Sequence, residues 1–265
     1  MTDGTGGRLD LQLAGRRALV TGAGQGVGAG IARLLAEAGA EVVVNDLHAA
    51  RAAQVVAAIG DAGGRADVAA FDVTDHAGVA TAVAAIGPID VLVNNAGNAG
   101  ADGFGNLVRF VDSTPADWEA FIGVNLHGVL NCTHAVLPAM LDRGWGRIIT
   151  VVSDSARSGG ARLAVYGAAK AGAAGFSRGL ALEVARRGVT VNNVAPATMR
   201  TEATEALWGD PAQEAQQDRI LDGYPIRRPG DPDDVAWIVA ALASPRADWV
   251  TGQTIPVNGG FSFTL

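Results

Sequence analysis

The sequence predicts an α/β protein in which a doubly wound parallel sheet forms a single domain. Short apolar runs alternate with longer helical patterns along almost the whole chain. Apolar strands separated by helices are typical of a parallel sheet that is covered on both faces. Glycine accounts for 36 of the 265 residues, which suits tight turns between strands and helices. No repeat, linker or change of composition marks a second domain.

Each apolar run is predicted as a strand and each helical pattern as a helix. In the first half, strand 18–21 enters a glycine-rich turn before helix 27–38, strand 41–46 precedes helix 49–62, and strand 68–71 precedes helix 75–86. In the second half, strand 91–94 precedes helix 115–143 in two segments, strand 148–152 precedes helix 166–187, strand 189–194 precedes helix 232–243, and strand 255–257 ends the series. With right-handed crossovers these elements predict a Rossmann-type fold over residues 14–265, after an N-terminal tail of residues 1–13.

Composition argues against several classes of function. A net charge of −7 without a cluster of Lys and Arg argues against nucleic-acid binding. The single cysteine, Cys132, excludes an internal disulfide and a cysteine-based metal site, and the four histidines lack metal-ligand spacing. The first residues lack the apolar region of a signal peptide, and the longest apolar run, 235–243, is too short to span a membrane. The expectation is a cytoplasmic protein with no metal, membrane or nucleic-acid partner.

A glycine-rich loop lies between the first strand and the first helix. It reads Thr-Gly-Ala-Gly-Gln-Gly-Val-Gly over residues 21–28. Glycines there permit a tight turn, bring the backbone close to a pyrophosphate and direct a helix N-terminus at it. The pattern predicts a dinucleotide site, and a glycine-rich turn that only packs a helix on the sheet is the alternative.

Asp46 ends the second strand, 18 residues after Gly28. An acidic side chain there can accept hydrogen bonds from the adenosine ribose hydroxyls and repel a 2′-phosphate. The glycine loop itself contains no Arg or Lys that would attract that phosphate. These observations predict NAD rather than NADP as the cofactor, and a role in capping the next helix is compatible with that.

Tyr166 and Lys170 are four residues apart, so both side chains lie on one face of the predicted helix. A lysine ammonium near a phenol is expected to lower the tyrosine pKa from its usual value of about 10. Such a tyrosine can remove a proton from an alcohol, or give one to a ketone, near neutral pH. The same spacing occurs by chance on solvated helices. The pair indicates catalysis only in combination with the dinucleotide loop upstream.

These motifs, in this order, resemble the short-chain dehydrogenase/reductase family in its NAD-dependent form of about 250 residues. The resemblance extends from about residue 15 to 260 and includes Asn-Asn-Ala-Gly at residues 94–97. It implies a small-molecule alcohol or ketone substrate and four catalytic residues, Asn125, Ser153, Tyr166 and Lys170. Ser155 competes with Ser153, but the spacing to the tyrosine favours Ser153.

The resemblance also implies the cofactor-binding residues. They are Gly22, Gln25, Gly26, Val27, Gly28, Asp46, Leu47, Asp72, Val73, Asn94, Ala96, Tyr166, Lys170, Met199 and Thr201. Met199 and Thr201 would face the nicotinamide carboxamide or the phosphates. Tyr166 would be the general base in oxidation while Ser153 holds the substrate oxygen, Lys170 holds the nicotinamide ribose, and Asn125 positions a water beside Lys170.

The chain departs from the family pattern at several places. Ala197 replaces the usual glycine after Pro196, and Asn258 stands where aspartate is usual. Residues 97–118 form a longer segment than is common. Residues 98–113 and a lid at about 198–225, which contains Trp208, are therefore expected to set substrate selectivity. Long helices rich in small residues predict a homodimer or homotetramer.

The sequence thus predicts an NAD-dependent oxidoreductase that interconverts a secondary alcohol and a ketone, with oxidation preferred. Residues 153–157 resemble those of members that act on cyclic hydroxyacyl-CoA compounds, and Arg157, Arg162 and Arg200 could meet an anionic group. Two alternatives are an NADPH-type 3-oxoacyl ketoreductase of biosynthesis and a non-catalytic NAD-sensing protein. A sensing protein could dispense with Ser153 or Tyr166, so the presence of both residues argues against that alternative.

Overall fold

The computed structural model describes residues 10–97 and 108–263. Seven parallel strands form one sheet in the order β3-β2-β1-β4-β5-β6-β7. The strands are β1 (Arg17–Val20), β2 (Glu41–Asp46), β3 (Arg65–Ala70), β4 (Val91–Asn94), β5 (Gly146–Val151), β6 (Val189–Pro196) and β7 (Thr254–Val257). The predicted doubly wound parallel sheet in a single domain is confirmed.

Ten α-helices lie within the described residues. They are α1 (Gly26–Glu37), α2 (Ala49–Asp61), α3 (His76–Ile86), α4 (Pro115–Ile122), α5 (Gly128–Arg143), α6 (Ser155–Ser158), α7 (Ala164–Val184), α8 (Glu205–Trp208), α9 (Glu214–Leu221) and α10 (Pro232–Ala243). Short 3-10 turns occupy Phe110–Asp112, Ala185–Arg187, Glu202–Thr204, Pro211–Gln213 and Pro245–Ala247.

Two apolar layers hold the helices on the sheet. On one face α1, α2 and α10 bury side chains such as Ile31, Ile59 and Val239 against the strands. On the other face α3, α5 and α7 do so with side chains such as Val79 and Leu180. Because both faces are covered, the central strands are almost wholly buried, which explains their continuous apolar runs.

The sheet order changes direction between β1 and β4. The chain builds outward from β1 to β3 and then returns to place β4 on the other side of β1. In sheets of this kind, ligands bind outside the carboxyl ends of the strands at such a switch point. Most of the predicted cofactor and catalytic residues end or follow strands at this edge, whereas Asn125, Tyr166 and Lys170 lie on helices.

Two predicted boundaries need correction. Strand β3 begins at Arg65, three residues before the predicted start, because it is an edge strand whose exposed residues Arg65 and Asp67 carry no apolar signal. The predicted tail is also shorter than expected. Leu11 and Leu13 are buried in the core, whereas residues 1–9 lie outside the described residues.

Helices α4 and α5 are joined by a π-helical turn, Gly123–His127. The whole run Pro115–Arg143 is long and apolar enough to cross a membrane by length and composition alone, with a mean hydropathy of 1.2. Counting uninterrupted apolar residues missed it because polar residues interrupt the run. Its α5 part packs on strands β4 and β5, with Cys132 and Met140 fully buried, as a core helix of a globular domain does.

Candidate active site

The glycine loop is shaped by its contact with the segment after β4. Gly22 has a left-handed φ of 59°, and a Cβ there would lie 2.8 Å from the Ala96 Cα. A Cβ on Gly28 would collide with the Asn95 side chain. The Thr21 hydroxyl accepts hydrogen bonds from the amides of Asn95 and Ala96, both at 3.0 Å. Glycine is therefore required because the loop packs directly on the predicted Asn-Asn-Ala-Gly motif.

Asp46 is held at the adenosine end of this loop. Its carboxylate is almost fully buried and accepts from the Gly24 amide at 3.2 Å and the His48 amide at 2.9 Å. Each carboxylate oxygen keeps a further lone pair, so the residue fits a ribose-hydroxyl acceptor. Leu47, the next residue, is 63% exposed beside it.

Arg51 is a residue that the sequence argument missed. A Cβ on Gly24 would lie 2.6 Å from the Arg51 Cβ and 2.6 Å from Asp46 Oδ2. The first turn of α2 therefore brings an arginine against the loop, five residues after Asp46. Its position in α2 was the available signal, but only loop residues were considered as partners for a 2′-phosphate.

The N-terminus of α1, which follows the glycine-rich loop, is the part of the site that is suited to a pyrophosphate. Its N-cap residue, Gln25, makes no side-chain capping bond, and the first turn contains no acidic residue. The Gly26 amide instead donates to Glu202 Oε2 at 3.0 Å, across 176 residues of sequence. A carboxylate of the lid therefore binds where a helix N-terminus favours an anion. The residues fit a dinucleotide, whose pyrophosphate would take the place of that carboxylate.

The remaining predicted cofactor residues lie around this edge. Thr201 Cγ2 is 3.3 Å from the Cβ position of Gly26, so Thr201 lies at the pyrophosphate end. The Met199 side chain instead packs towards Gly230, where an added Cβ would be 2.6 Å from its sulfur, and joins the core. The Met199 side chain is thus engaged in packing, and its predicted contact with the nicotinamide stays a prediction.

Asp72, Val73 and Asn94 are fixed by local hydrogen bonds. Asp72 accepts from Thr74 through both its amide and its hydroxyl at 2.8 Å, and the Val73 carbonyl accepts from Asn131 at 3.0 Å. The buried Asn94 amide donates to Thr133 at 3.1 Å. Val27 packs on the core and Gln25 is exposed at the rim.

The four predicted catalytic residues converge at the carboxyl ends of β4 and β5. Lys170 is buried, and its ammonium lies 5.9 Å from the centre of the Tyr166 ring and donates to the Val151 carbonyl at 2.8 Å. A Cβ on Gly97 would lie 3.0 Å from both Lys170 Nζ and Asn125 Oδ1. Gly97 therefore opens the space where Asn125 and Lys170 face each other.

Asn125 reaches this position because it lies in the π-helical turn. Its side-chain amide donates to the Phe121 carbonyl at 2.9 Å, which leaves the amide oxygen directed at the lysine side. Such a turn inserts an extra residue into the helical ladder and is frequent at functional sites. The sequence predicted a division of this helix but gave no signal for the π turn.

Ser153 and Tyr166 are joined by a side-chain hydrogen bond. Ser155 lies on the other side and donates to Ser153 Oγ from its hydroxyl at 3.0 Å and from its amide at 3.2 Å. Ser153 is therefore the serine in contact with the tyrosine, and Ser155 orients it. Phe121 lies edge-on to the Tyr166 ring, with 6.2 Å between ring centres, and forms a wall of the site.

Burial, rather than charge, dominates the pKa values of the pair. Burial raises the pKa of Tyr166, and the hydrogen bond to Ser153 only partly opposes this. Burial lowers the pKa of Lys170 to about 8. The expected lowering of the Tyr166 pKa by Lys170 is therefore wrong for the protein alone. The physical reason is that burial disfavours the charged phenolate more than the hydrogen bond with Ser153 favours it.

The arginines considered for an anionic substrate are mostly engaged elsewhere. Arg157 pairs with Asp154 at 2.7 Å and is largely buried, and Arg200 pairs with Glu205 at 2.7 Å. Arg162 is exposed, with a left-handed φ of 65°. Trp208 is buried in the lid, whereas residues 98–107 of the predicted selectivity loop lie outside the described residues.

The fold and the site together define a dinucleotide-dependent oxidoreductase of the Rossmann type. A family profile described as enoyl-(acyl carrier protein) reductase matches residues 22–262. The chain belongs to the short-chain dehydrogenase/reductase family, whose members use a nicotinamide cofactor.

Relatives in this family differ in substrate. The chain is 40% identical to an acetoacetyl-CoA reductase of Shinella zoogloeoides, over 94% of this chain and 99% of that protein. It is 39% identical to a 2,3-dihydroxy-2,3-dihydro-p-cumate dehydrogenase of Pseudomonas putida, over 96% of each. A gluconate 5-dehydrogenase of Burkholderia cenocepacia, solved with NADP and tartrate, is 38% identical with a TM-score of 0.87, over 97% of this chain and 98% of that one. These comparisons establish the family, but membership of the family does not determine the substrate, because its members act on different compounds.

Proposed function

We propose that the protein is an NAD-dependent dehydrogenase that oxidises a secondary alcohol to a ketone, with reduction as the reverse reaction. The observation that carries this proposal is the hydrogen bond between Ser153 and Tyr166 beside the buried Lys170. A sensing protein would not need a serine, a tyrosine and a lysine converging on one point. The nicotinamide cofactor supplies the hydride acceptor or donor.

Four side chains of this protein carry out the remaining steps, which are binding of the substrate and cofactor and transfer of the proton. Ser153 holds the substrate oxygen by a hydrogen bond, and the Tyr166 hydroxyl exchanges a proton with that oxygen. Lys170 binds the ribose next to the nicotinamide. Asn125, whose amide oxygen faces the lysine side, positions a water that returns protons from solvent.

The case for NAD rests on the charge of Asp46. A 2′-phosphate beside this buried carboxylate would place two negative groups together in a poorly solvated position. The case for NADP rests on Arg51 at the same loop and on the NADP found in the solved gluconate 5-dehydrogenase. We favour NAD because Asp46 bonds directly to the loop, whereas Arg51 reaches it from the neighbouring helix.

The substrate class follows from the relatives and from the site wall. An acetoacetyl-CoA reductase and a dihydrodiol dehydrogenase are both similar to this chain, so CoA-linked and cyclic hydroxy compounds are the first candidates. Phe121 beside Tyr166 suits a substrate with an apolar carbon next to the carbinol. Reduction of a 3-oxoacyl thioester with NADPH is the second candidate, which the acetoacetyl-CoA reductase favours.

A substrate panel tests the proposed activity. Secondary alcohols, cyclic diols and ketones are assayed with each cofactor by absorbance of the reduced nicotinamide, with acetoacetyl-CoA among the ketones. We expect oxidation of at least one cyclic or CoA-linked alcohol with NAD. Turnover confined to acetoacetyl-CoA and NADPH would select the second candidate, and no turnover of any compound would refute both.

The cofactor assignment is tested with a pair of variants. Asp46→Ala should relax the preference for NAD, measured as the ratio of kcat/KM values. Arg51→Ala, on the same edge of the loop, should leave the use of NAD nearly unchanged and weaken any use of NADP. A higher kcat/KM with NADP in the unaltered protein would overturn the assignment.

We also propose a homodimer or homotetramer in the cytoplasm. One face of α7 carries small exposed residues at helical spacing, including Ala168, Gly172 and Gly179, and ends at Leu182, which is 87% exposed. A second copy could approach this face closely because its side chains are small as far as Leu182, whose apolar side chain the partner would cover.

A further inference from the structure

Asp154, the residue after the catalytic serine, is the most heavily bonded carboxylate near the site. It is only 2% exposed. Its donors are Arg157 Nη1 at 2.7 Å, Ser262 Oγ at 2.7 Å, Asn258 Nδ2 at 3.1 Å and Ser158 Oγ at 3.0 Å. Its own amide donates to the Pro196 carbonyl at 2.8 Å. Side chain and backbone are therefore both fixed one residue from Ser153.

Two of these donors come from the C-terminal segment, residues 258–262. Asn258 is the position at which the sequence departs from the family, where aspartate is usual. In this chain an aspartate there would set a second carboxylate against Asp154, whereas the asparagine amide donates to it. Asn258 therefore suits this chain because its amide can donate a hydrogen bond to the buried Asp154 carboxylate, which an aspartate could not do.

The same segment contacts the end of the lid, and Tyr224 in turn bonds that end to the start of the lid. The ring of Phe261 stacks on Tyr224 with 5.0 Å between centres. The Tyr224 hydroxyl donates to Thr198 Oγ1 at 2.8 Å and accepts from the Thr198 amide at 3.2 Å. Thr198 and Tyr224 lie at the start and the end of the lid. A cavity of about 370 Å³ lies beside this linkage and is lined by Thr198, Tyr224 and Asn258.

We propose that Asp154 is a positioning residue that fixes Ser153 and, through residues 258–262, couples it to both ends of the lid. Closure of the lid over a substrate then acts on the serine that holds the substrate oxygen. The linkage is a continuous set of hydrogen bonds and one ring contact, which is a physical route for such coupling. The kinetic part of this proposal rests on the proposed function, whereas the coupling itself does not.

An exchange of the two side chains tests the proposal. Asp154→Asn leaves Arg157 without its carboxylate, and Asn258→Asp places two carboxylates in one buried cluster. The double variant, Asp154→Asn with Asn258→Asp, restores one carboxylate and one amide beside the same arginine. Glu41→Gln removes the carboxylate of an exposed pair with Arg65 at the far end of the sheet and serves as the control.

Amide hydrogen exchange is the readout that needs no substrate. Both single variants should speed exchange of the Thr198 amide at least tenfold, and the double variant should restore most of the protection. Unchanged exchange at Thr198 in both single variants would overturn the coupling. Ser262→Ala removes one donor without changing charge, so it provides the same measurement should a single charge variant not fold.

Kinetics on the best compound of the panel separate positioning from stability. We expect kcat to fall by about 10- to 100-fold in the single variants, because small misplacements of a catalytic group have effects of that size. The dissociation constant for NADH should stay within about twofold, and kcat should recover in the double variant. Recovery of Tm without recovery of kcat would reduce the pair to a structural role and overturn the proposal. If no compound turns over, the proposed function fails, while hydrogen exchange still decides the coupling.

Discussion

Burial sets the protonation state of Tyr166 at the candidate active site, and the two protonation states serve opposite directions of the proposed reaction. The raised pKa of Tyr166 keeps the phenol protonated at neutral pH, ready to give its proton to a ketone. Oxidation requires the deprotonated form, which becomes more populated as pH rises. Burial lowers the pKa of Lys170 to about 8, so its ammonium loses its charge far below the pH at which an exposed lysine would.

The lysine can be observed directly because Lys170 is the only lysine in the chain. Protein labelled with ¹³C-lysine should give a single side-chain signal, and we expect it to titrate near pH 8. The same sample unfolded in urea should titrate near the ordinary value of about 10.4. A folded midpoint equal to the unfolded one would contradict the burial argument.

The role of the tyrosine is tested by removing its hydroxyl. Tyr166→Phe keeps the ring but loses the transferable proton, so turnover should fall by about 10²–10⁴ while NADH binding is largely preserved. Ser153→Ala should also be severe, whereas Ser155→Ala should be mild because Ser155 acts only on Ser153. Near-normal turnover of the phenylalanine variant would refute the mechanism, and the reverse ranking of the serines would transfer the role to Ser155.

Among the elements, the lid makes a contact with α1 that we expect to compete with a bound cofactor. Glu202 holds the Gly26 amide at the N-terminus of α1, where the pyrophosphate would bind. Glu202→Gln replaces this carboxylate with a neutral amide. The variant therefore removes the negative charge that would repel the phosphates of the cofactor. We expect the dissociation constant for NADH to fall by about two- to fivefold, since charges at a helix end have effects of that order.

Tryptophan fluorescence or calorimetry measures this change. Glu205→Gln is the matched control, because Glu205 lies on the same lid but pairs with Arg200, whereas Glu202 accepts from the Gly26 amide. Affinity that is unchanged or weaker in Glu202→Gln would show that the carboxylate does not compete with the cofactor.

The elements also show how far sequence reasoning reached. Central strands such as β2, with three consecutive valines, could be predicted because burial on both faces demands apolar residues. The π turn that presents Asn125 could not, since a single extra residue in a helical ladder leaves no periodic signal. Contacts between distant segments were equally hidden: nothing in the sequence places Glu202 on Gly26 or Asn258 on Asp154. The candidate residues Tyr166 and Lys170 were predicted from their helical spacing, and Asn125 and Ser153 from family motifs, none of them from such a contact.

For the whole molecule, the exposed face of α7 is the surface that self-association would cover. A Cβ on Gly179 would meet no atom of the described residues within 4 Å, so Gly179→Glu should leave the protomer fold intact. It should nevertheless block pairing of this face and shift light scattering towards the monomer. Gly60→Glu, equally open in α2, is the control and should leave the assembly unchanged. A monomeric unaltered protein would refute the assembly.

The single lysine has a consequence for the protein's electrostatics in alkali. Every other basic side chain that is positive at neutral pH is arginine, which stays charged to beyond about pH 12, so the pattern of surface cations is constant across alkaline pH. The groups that titrate there and change stability are therefore internal ones.

Lys170, with its pKa lowered to about 8, binds its proton less tightly when folded, so unfolding free energy should rise as pH passes 8. The buried Cys132 thiol, with its pKa raised to about 12, and the Tyr166 phenol keep protons that the unfolded chain loses, so they should reverse the rise. The free energy of unfolding, measured in urea between pH 7 and 11, should thus have a maximum at about pH 9. Cys132→Val should move that maximum to higher pH, and a curve that only falls above pH 7 would contradict this account.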